Sequence, residues 1–226
     1  MIVAASKSVA VRIWCGCVQN ATCRPWSQVS GGRAIVSADR PGLFIAVVGP
    51  SGAGKDTLMR AVAARLQDRP DIRFAQRVIT RDADPDNEDH EVLSRAEFAD
   101  ARQDGEFCLD WEAHGLCYSL RREAAAHVEG GGVLIANLSR GVLSEAATQF
   151  SRMDVLEITA RPDIRVERLL ARGRETVEDI RSRIAREMPI SVANLPGRIV
   201  TIDNSGRLDD AVDVLEAYLA GARSSS

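Results

Sequence analysis

From Leu43 onward the chain alternates between two apolar patterns. Short continuous runs at Leu43–Val48, Val133–Leu138, Val155–Thr159 and Ile199–Ile202 have the make-up of strands buried on both faces. Between them lie stretches with apolar residues at helical spacing: Lys55–Leu66, about 141–150, Pro162 to about Ala171, Thr176 to about Met188, and Leu208–Leu219. In the last of these, Leu208, Ala211, Val212, Leu215 and Leu219 share one face. Pro162 suits a first helical turn, and Thr176 suits a cap. Ser94-Arg95-Ala96-Glu97 is a capping box that opens a helix to about Asp104. Arg77–Thr80 reads as a short extended stretch before a polar loop over 81–91, dense in Asp, Glu and Pro. Strands alternating with helices predict an α/β fold: a parallel sheet with helices on both faces.

Residues 1–40 show no sustained period and are expected to form an irregular N-terminal extension. A single domain is expected over 41–222, with 223–226 as a frayed tail. The whole chain has 226 residues, 45% of them hydrophobic and 27% charged, which is a globular composition and excludes wholesale disorder. No apolar run approaches the ~18 residues of a membrane span. A net charge of −3 argues against a dedicated nucleic-acid binder. The five cysteines do not form a secreted disulfide framework, and Cys15, Cys17 and Cys23 lack a partner pair at zinc-ligand spacing. Lys7 and Arg12 interrupt the apolar start, and no clean cleavage site follows, so a signal peptide is not expected. These features point to a cytoplasmic protein with a small-molecule partner, using neither nucleic acid nor membrane; monomer and homodimer are both open.

The strongest chemical signal lies where the first strand ends. Gly49-Pro50-Ser51-Gly52-Ala53-Gly54-Lys55-Asp56-Thr57 matches G-x-x-x-x-G-K between a predicted strand and a predicted helix. Glycines let backbone N–H groups close around phosphate oxygens, and the helix N-terminus favours negative charge. Lys55, one of only two lysines in the chain, then reaches the β- and γ-phosphates. The motif predicts a nucleoside-triphosphate site, with ATP and Mg²⁺. Asp56 stands where a Ser or Thr normally meets Mg²⁺, and the strand Val133–Leu138 runs out in Asn137-Leu138-Ser139-Arg140, with no carboxylate. We read this as a relocation of the metal-site carboxylate onto the P-loop. Asn137 is then left to orient a metal-bound water or a substrate hydroxyl.

The P-loop resembles that of the guanylate kinases. The block after it resembles their acceptor-binding insertion, through Thr80-Arg81, Glu88–Glu91, Ser94…Glu97-Phe98, Gly105-Glu106-Phe107 and Trp111…His114-Gly115…Tyr118. Within that superfamily the chain is most similar to the ribose 1,5-bisphosphate phosphokinases, which make 5-phosphoribosyl diphosphate in phosphonate breakdown. The pieces that carry this similarity are 77–81, 88–91, 111–116, Gly54-Lys55-Asp56-Thr57 and Asn137-Leu138-Ser139-Arg140.

The resemblance implies a P-loop nucleotide-kinase fold with an acceptor-binding insertion at about 73–125 and an Arg-rich lid at about 168–186. Arg77 aligns with a Ser of the guanylate kinase acceptor site, Arg81 with its first Arg, Asp84 with its second, and His90 with its Tyr. Leu120 replaces a hydroxyl residue that contacts guanine, so guanine recognition is not expected. Arg77 and Arg81 can pair bidentately with acceptor phosphates, and Glu88 and Asp89 can meet ribose hydroxyls or hydrated Mg²⁺. Asp110 matches the acid that reads guanine, and Tyr118 walls the acceptor pocket. Arg172 and Arg174, with Arg168 nearby, belong to the implied lid, and Arg140 gathers with them around the γ-phosphate. Asn204 is expected to line the adenine pocket. Two further readings are a guanylate kinase and a non-catalytic interaction module of the same fold.

Overall fold

The computed structural model describes residues 12–16, 42–80, 90–113, 115–173, 176–185 and 195–222. In chain order the elements are β1 (Arg12–Gly16), β2 (Leu43–Val48), α1 (Lys55–Arg65), β3 (Ile72–Phe74), β4 (Arg77–Thr80), β5 (His90–Leu93), α2 (Arg95–Gln103), β6 (Phe107–Ala113) and β7 (Leu116–Arg121). They continue with α3 (Arg122–Glu129), β8 (Val133–Asn137), a 3₁₀ turn (Arg140–Val142), α4 (Leu143–Gln149), β9 (Met153–Thr159), α5 (Pro162–Leu170), α6 (Val177–Ala185), β10 (Gly197–Asp203) and α7 (Leu208–Ala222).

The main sheet runs β1-β10-β9-β2-β8-β3. All its pairings are parallel except that of β1, which lies antiparallel to β10. Strand β2 shows why its apolar run is continuous. Leu43, Ile45 and Val47 enter one core with α1 and α7, whereas Phe44, Ala46 and Val48 enter a second core with α4 on the opposite face. In that second core Phe44 stacks on Phe150, with ring centroids 4.0 Å apart. The expected parallel sheet with helices on both faces is therefore present.

A smaller sheet, β5-β4-β7-β6, carries the insertion. Strands β4 and β5 are parallel, and β7 is antiparallel to both β4 and β6. Leu109, Trp111 and Leu120 from this sheet join the second core, which fastens the insertion to the main sheet. The capping box of α2 forms as expected: Ser94 Oγ accepts from Glu97 N at 3.2 Å, and Ser94 N donates to Glu97 Oε2 at 2.7 Å. Thr176 Oγ1 likewise accepts from Asp179 N at 3.2 Å at the start of α6.

The structure differs from expectation in two regions. Residues 1–40, read as irregular, include β1, which pairs antiparallel with β10 and forms one edge of the main sheet. Strands β3, β5, β6 and β7 and helix α3 also went unpredicted. Several of these are short or partly exposed, so they lack the long apolar runs that mark the main sheet.

Candidate active site

The glycine-rich turn leaves β2 at its carboxyl end, the edge of a parallel sheet where ligands bind. Two glycines are dictated by space. A Cβ on Gly49 would sit 2.1 Å from the carbonyl oxygen of Ile158, and one on Gly54 (φ 84°) would sit 2.5 Å from Asn204 Nδ2. Lys55 opens α1 and folds back on the turn, donating from Nζ to the carbonyls of Gly49 at 2.8 Å and Pro50 at 3.2 Å. Burial pushes its pKa down to about 8; Asp56 opposes the shift, and the positive charges of Arg77, Arg140 and Arg172 add to it. Lys55, Arg77, Arg140 and Arg172 thus converge electrostatically on the mouth of the turn. Thr57 lies exposed in the first turn of α1.

The back of the turn is held by side chains from α5 and from the end of β10. Arg165 Nε donates to the carbonyl of Ser51 at 2.9 Å. Asn204 Nδ2 donates to the carbonyl of Ala53 at 2.8 Å, and Arg168 Nη1 reaches the same oxygen at 3.4 Å. Arg168 Nη2 also donates to the Asn204 carbonyl at 2.9 Å. Arg168, expected among the lid arginines, is therefore engaged with the P-loop backbone. Asn204, expected in an adenine pocket, is 2% exposed and held against the turn by its Nδ2; its Oδ1 has no hydrogen-bond partner among the described residues.

On the other side of Lys55 a cavity of about 290 Å³ opens between α1 and the insertion. Asp56, Arg77 and Asn137, three residues singled out from sequence, line it together. Asn137 is the last residue of β8, and its Nδ2 donates to Asp56 Oδ1 at 2.7 Å. Arg77 Nη2 lies 3.9 Å from the same carboxylate oxygen. The Arg77 guanidinium stands 5.9 Å from the ring centroid of Tyr118, which stacks on Trp111 at 5.5 Å. Burial pushes the Arg77 pKa down, with Asp56 and Tyr118 working against the shift. Trp111 Nε1 donates to Ser139 Oγ at 3.0 Å, which ties this aromatic pair to the loop after β8.

Sequence reasoning left Met59, Arg60 and Gln76 out of the site and reached His90 through its alignment with the guanylate kinase Tyr; all four line the cavity. His90 Nε2 lies 3.2 Å from Arg77 Nη2. A guanidinium can only donate, so Nε2 is the acceptor and the ring proton is assigned to Nδ1. In the fold His90 is placed by its register opposite Arg77 in the parallel β4–β5 pair.

Asp110 does not join this cavity. Trp111 and Tyr118 face each other across β6 and β7, and side chains alternate, so Asp110 turns to the opposite face and pairs with Arg102 of α2. Glu91 is diverted in the same way: it neighbours His90 on β5 but pairs with Arg121. Arg81, Glu88, Asp89 and Arg174, also expected at the site, lie outside the described residues, as does His114.

Among the described residues no group of three or more His, Cys, Asp or Glu gathers as a metal cage. Asp56 contributes one carboxylate to the cavity lining, a donor type that Mg²⁺ takes together with substrate phosphates and water. No helix among the described residues is long and apolar enough to cross a membrane.

Comparisons with known proteins bear on the family and the fold. A family described as AAA domain matches residues 45–189. The chain is 45% identical over 174 residues to "Ribose 1,5-bisphosphate phosphokinase PhnN" of Brucella melitensis, a match that covers 76% of this chain and 90% of the relative. Proteins of the same name from Agrobacterium fabrum (43% over 183 residues, covering 81% of this chain and 99% of the relative) and Burkholderia pseudomallei (43% over 186 residues, covering 82% and 98%) are similar to it. In fold it is similar to guanylate kinase from Anaplasma phagocytophilum, with a TM-score of 0.60 at 15% identity; the match covers 83% of this chain and 89% of that one.

The Asp56–Asn137 contact makes a direct prediction. Asn137→Asp would place two carboxylates at hydrogen-bonding distance, raising the pKa of the pair in the folded state. The folded protein then binds more protons than the unfolded chain, so the variant loses stability relative to wild type as pH rises. The difference in melting temperature should be largest near pH 8 and shrink toward pH 5. A difference independent of pH would mean that the two side chains do not meet.

Proposed function

Since the chain belongs to the family of ribose 1,5-bisphosphate phosphokinases, we propose that the cavity between α1 and the insertion holds the sugar bisphosphate and the P-loop holds ATP. The protein is a phosphotransferase. It transfers the γ-phosphoryl group of ATP to ribose 1,5-bisphosphate, giving 5-phospho-α-D-ribose 1-diphosphate and ADP. The product is an activated ribose, and the reaction fits a place in phosphonate breakdown. Residues 41–222 act as the kinase domain, with the acceptor site in about 73–125 and the lid in about 168–186.

An oxygen of the sugar 1-phosphate attacks the γ-phosphorus in line. The bond from that phosphorus to the β,γ-bridging oxygen breaks, and ADP leaves with the electron pair. The acceptor oxygen is already ionised near neutral pH, so no strong base is required and catalysis rests on positioning and charge neutralisation. Backbone N–H groups of 49–57 and the Lys55 ammonium hold the donor phosphates. Arg77, with Tyr118 beside its guanidinium, binds an acceptor phosphate, and Arg81, Glu88 and Asp89 complete the acceptor site. Arg140, Arg172 and Arg174 gather around the phosphoryl group in transfer. When bound, Mg²⁺ neutralises phosphate charge, with Asp56 as its protein ligand. Asn137 fixes the orientation of that carboxylate, as its 2.7 Å bond to Asp56 indicates. The convergence of Asp56, Arg77 and Asn137 on one cavity beside Lys55 is the observation that carries this assignment.

ADP release from ATP, measured side by side with ribose 1,5-bisphosphate, with GMP and with no acceptor, tests the reading. Turnover is expected with the sugar alone. Losing a bidentate arginine from a buried charge pair costs about 2–5 kcal/mol. Arg77→Met should therefore lower kcat/KM for the sugar by a factor of ten or more, with little change in KM for ATP. Rapid GMP turnover without sugar turnover would make the protein a guanylate kinase.

The depressed pKa of Lys55 gives a second test. Bound phosphates favour the protonated ammonium, so above the free-enzyme value of about 8 each ATP that binds must bring a proton to Lys55. The Kd for ATP should then rise with pH above 8, by up to about tenfold per unit. Lys55→Met should bind ATP more weakly throughout and lack this rise. A slope retained in Lys55→Met would assign it to another group.

A further inference from the structure

Residues three apart on a helix lie on one side of it, and α5 turns Arg165 and Arg168 toward the P-loop in this way. Arg165 is 5% exposed, and its Nε donates to the Ser51 carbonyl at 2.9 Å. Arg168 reaches the Ala53 carbonyl at 3.4 Å, while Asn204 supplies a second donor to the same oxygen at 2.8 Å. Asn204 is in turn anchored: its backbone N–H donates to the Thr159 carbonyl at 2.8 Å, and its own carbonyl accepts from Arg168 at 2.9 Å. Helix α5 lies close behind the loop, since a Cβ on Gly52 would meet the Arg165 carbonyl oxygen at 3.0 Å and the Leu169 side chain at 3.1 Å.

A planar trans peptide points its C=O and the following N–H in opposite directions. Holding the Ser51 carbonyl therefore fixes where the Gly52 N–H points, and holding the Ala53 carbonyl does the same for Gly54. Both glycines have positive φ, 81° and 84°, a region in which an unrestrained glycine has many alternatives. Cradles that bind phosphate need these N–H groups to converge.

We propose that Arg165 and Arg168 are positioning residues of the phosphate cradle: by clamping the Ser51 and Ala53 carbonyls, with Asn204 as the second donor at Ala53, they aim the Gly52 and Gly54 N–H groups before nucleotide arrives. The proposal rests on the P-loop being the ATP site. It separates Arg168 from Arg172, which is assigned to the phosphoryl group in transfer. A clamp on the cradle serves any polyphosphate, whatever base is attached, and acts already in the ground state.

The test is calorimetric binding of ATP and of inorganic tripolyphosphate to wild type, Arg168→Met, Arg168→Lys, Arg165→Met and Asn204→Ala, with kcat at saturating ATP and sugar. Losing a hydrogen bond from a charged group should raise the Kd for ATP and for tripolyphosphate by the same factor, about tenfold or more, in each Met variant. Arg168→Lys should recover part of the loss, and kcat at saturation should stay within about threefold of wild type. Asn204→Ala should show the same matched rise, and it keeps the test open if a Met variant melts at assay temperature. A fall in kcat with both Kd values unchanged would place Arg168 on the transferring phosphoryl and overturn the proposal. A rise for ATP without one for tripolyphosphate would overturn it in favour of a contact to the base. Failure of wild type to bind either ligand would instead bring down the P-loop reading beneath it.

Discussion

A parallel strand buried on both faces has almost no polar side chain to offer, so the chemistry of this chain gathers where its strands run out. Strand β2 ends at Val48 and delivers the P-loop. Strand β8 ends at Asn137, whose amide crosses to Asp56 at 2.7 Å. Asn204, just past β10, donates to the carbonyl of Ala53 at 2.8 Å and is anchored through its backbone to Thr159, the last residue of β9. Three strand ends thus hold one loop. Because the strands are locked by two apolar cores, the loop they hold is placed with the rigidity of the sheet.

That edge also sets the electrostatics. Lys55, Arg77, Arg140 and Arg172 crowd together, and burial pushes the pKa of both Lys55 and Arg77 down. Such crowding is costly without anions, and Asp56 partly offsets it in the free protein. Phosphates bring negative charge to this crowded basic edge, so the arrangement suits a polyphosphate donor. Asp56 sits at the junction of the two halves: it follows Lys55 on α1, pairs with Asn137 and faces Arg77 at 3.9 Å.

The main sheet was legible because burial on both faces leaves uninterrupted apolar runs; β2 and β4 match the expected bounds residue for residue, Leu43–Val48 and Arg77–Thr80. The P-loop was legible because its glycines are forced by contact with Ile158 and Asn204. The insertion was harder to read. Strand β6 does carry a period of two, with Leu109 and Trp111 buried and Glu112 exposed between Trp111 and Ala113. Reading that alternation would have turned Asp110 away from the acceptor pocket, where the resemblance had put it. His90 was reached through the resemblance and not from a local pattern: its place depends on the pairing of β5 with β4, which no local pattern encodes. Arg168 looked like part of a lid because it lies near Gly173, yet its helix backs onto the P-loop.

The central claim is that an oxygen of the sugar 1-phosphate receives the phosphoryl group from the P-loop side of the cavity. Phosphorus NMR of ribose 1,5-bisphosphate incubated with the enzyme, ATP and Mg²⁺ tests this claim most directly. The account predicts that the 1-phosphate resonance gives way to two coupled diphosphate resonances while the 5-phosphate signal stays where it was. Coupled signals growing from the 5-phosphate, or an unchanged sugar beside GMP converted to GDP, would contradict it.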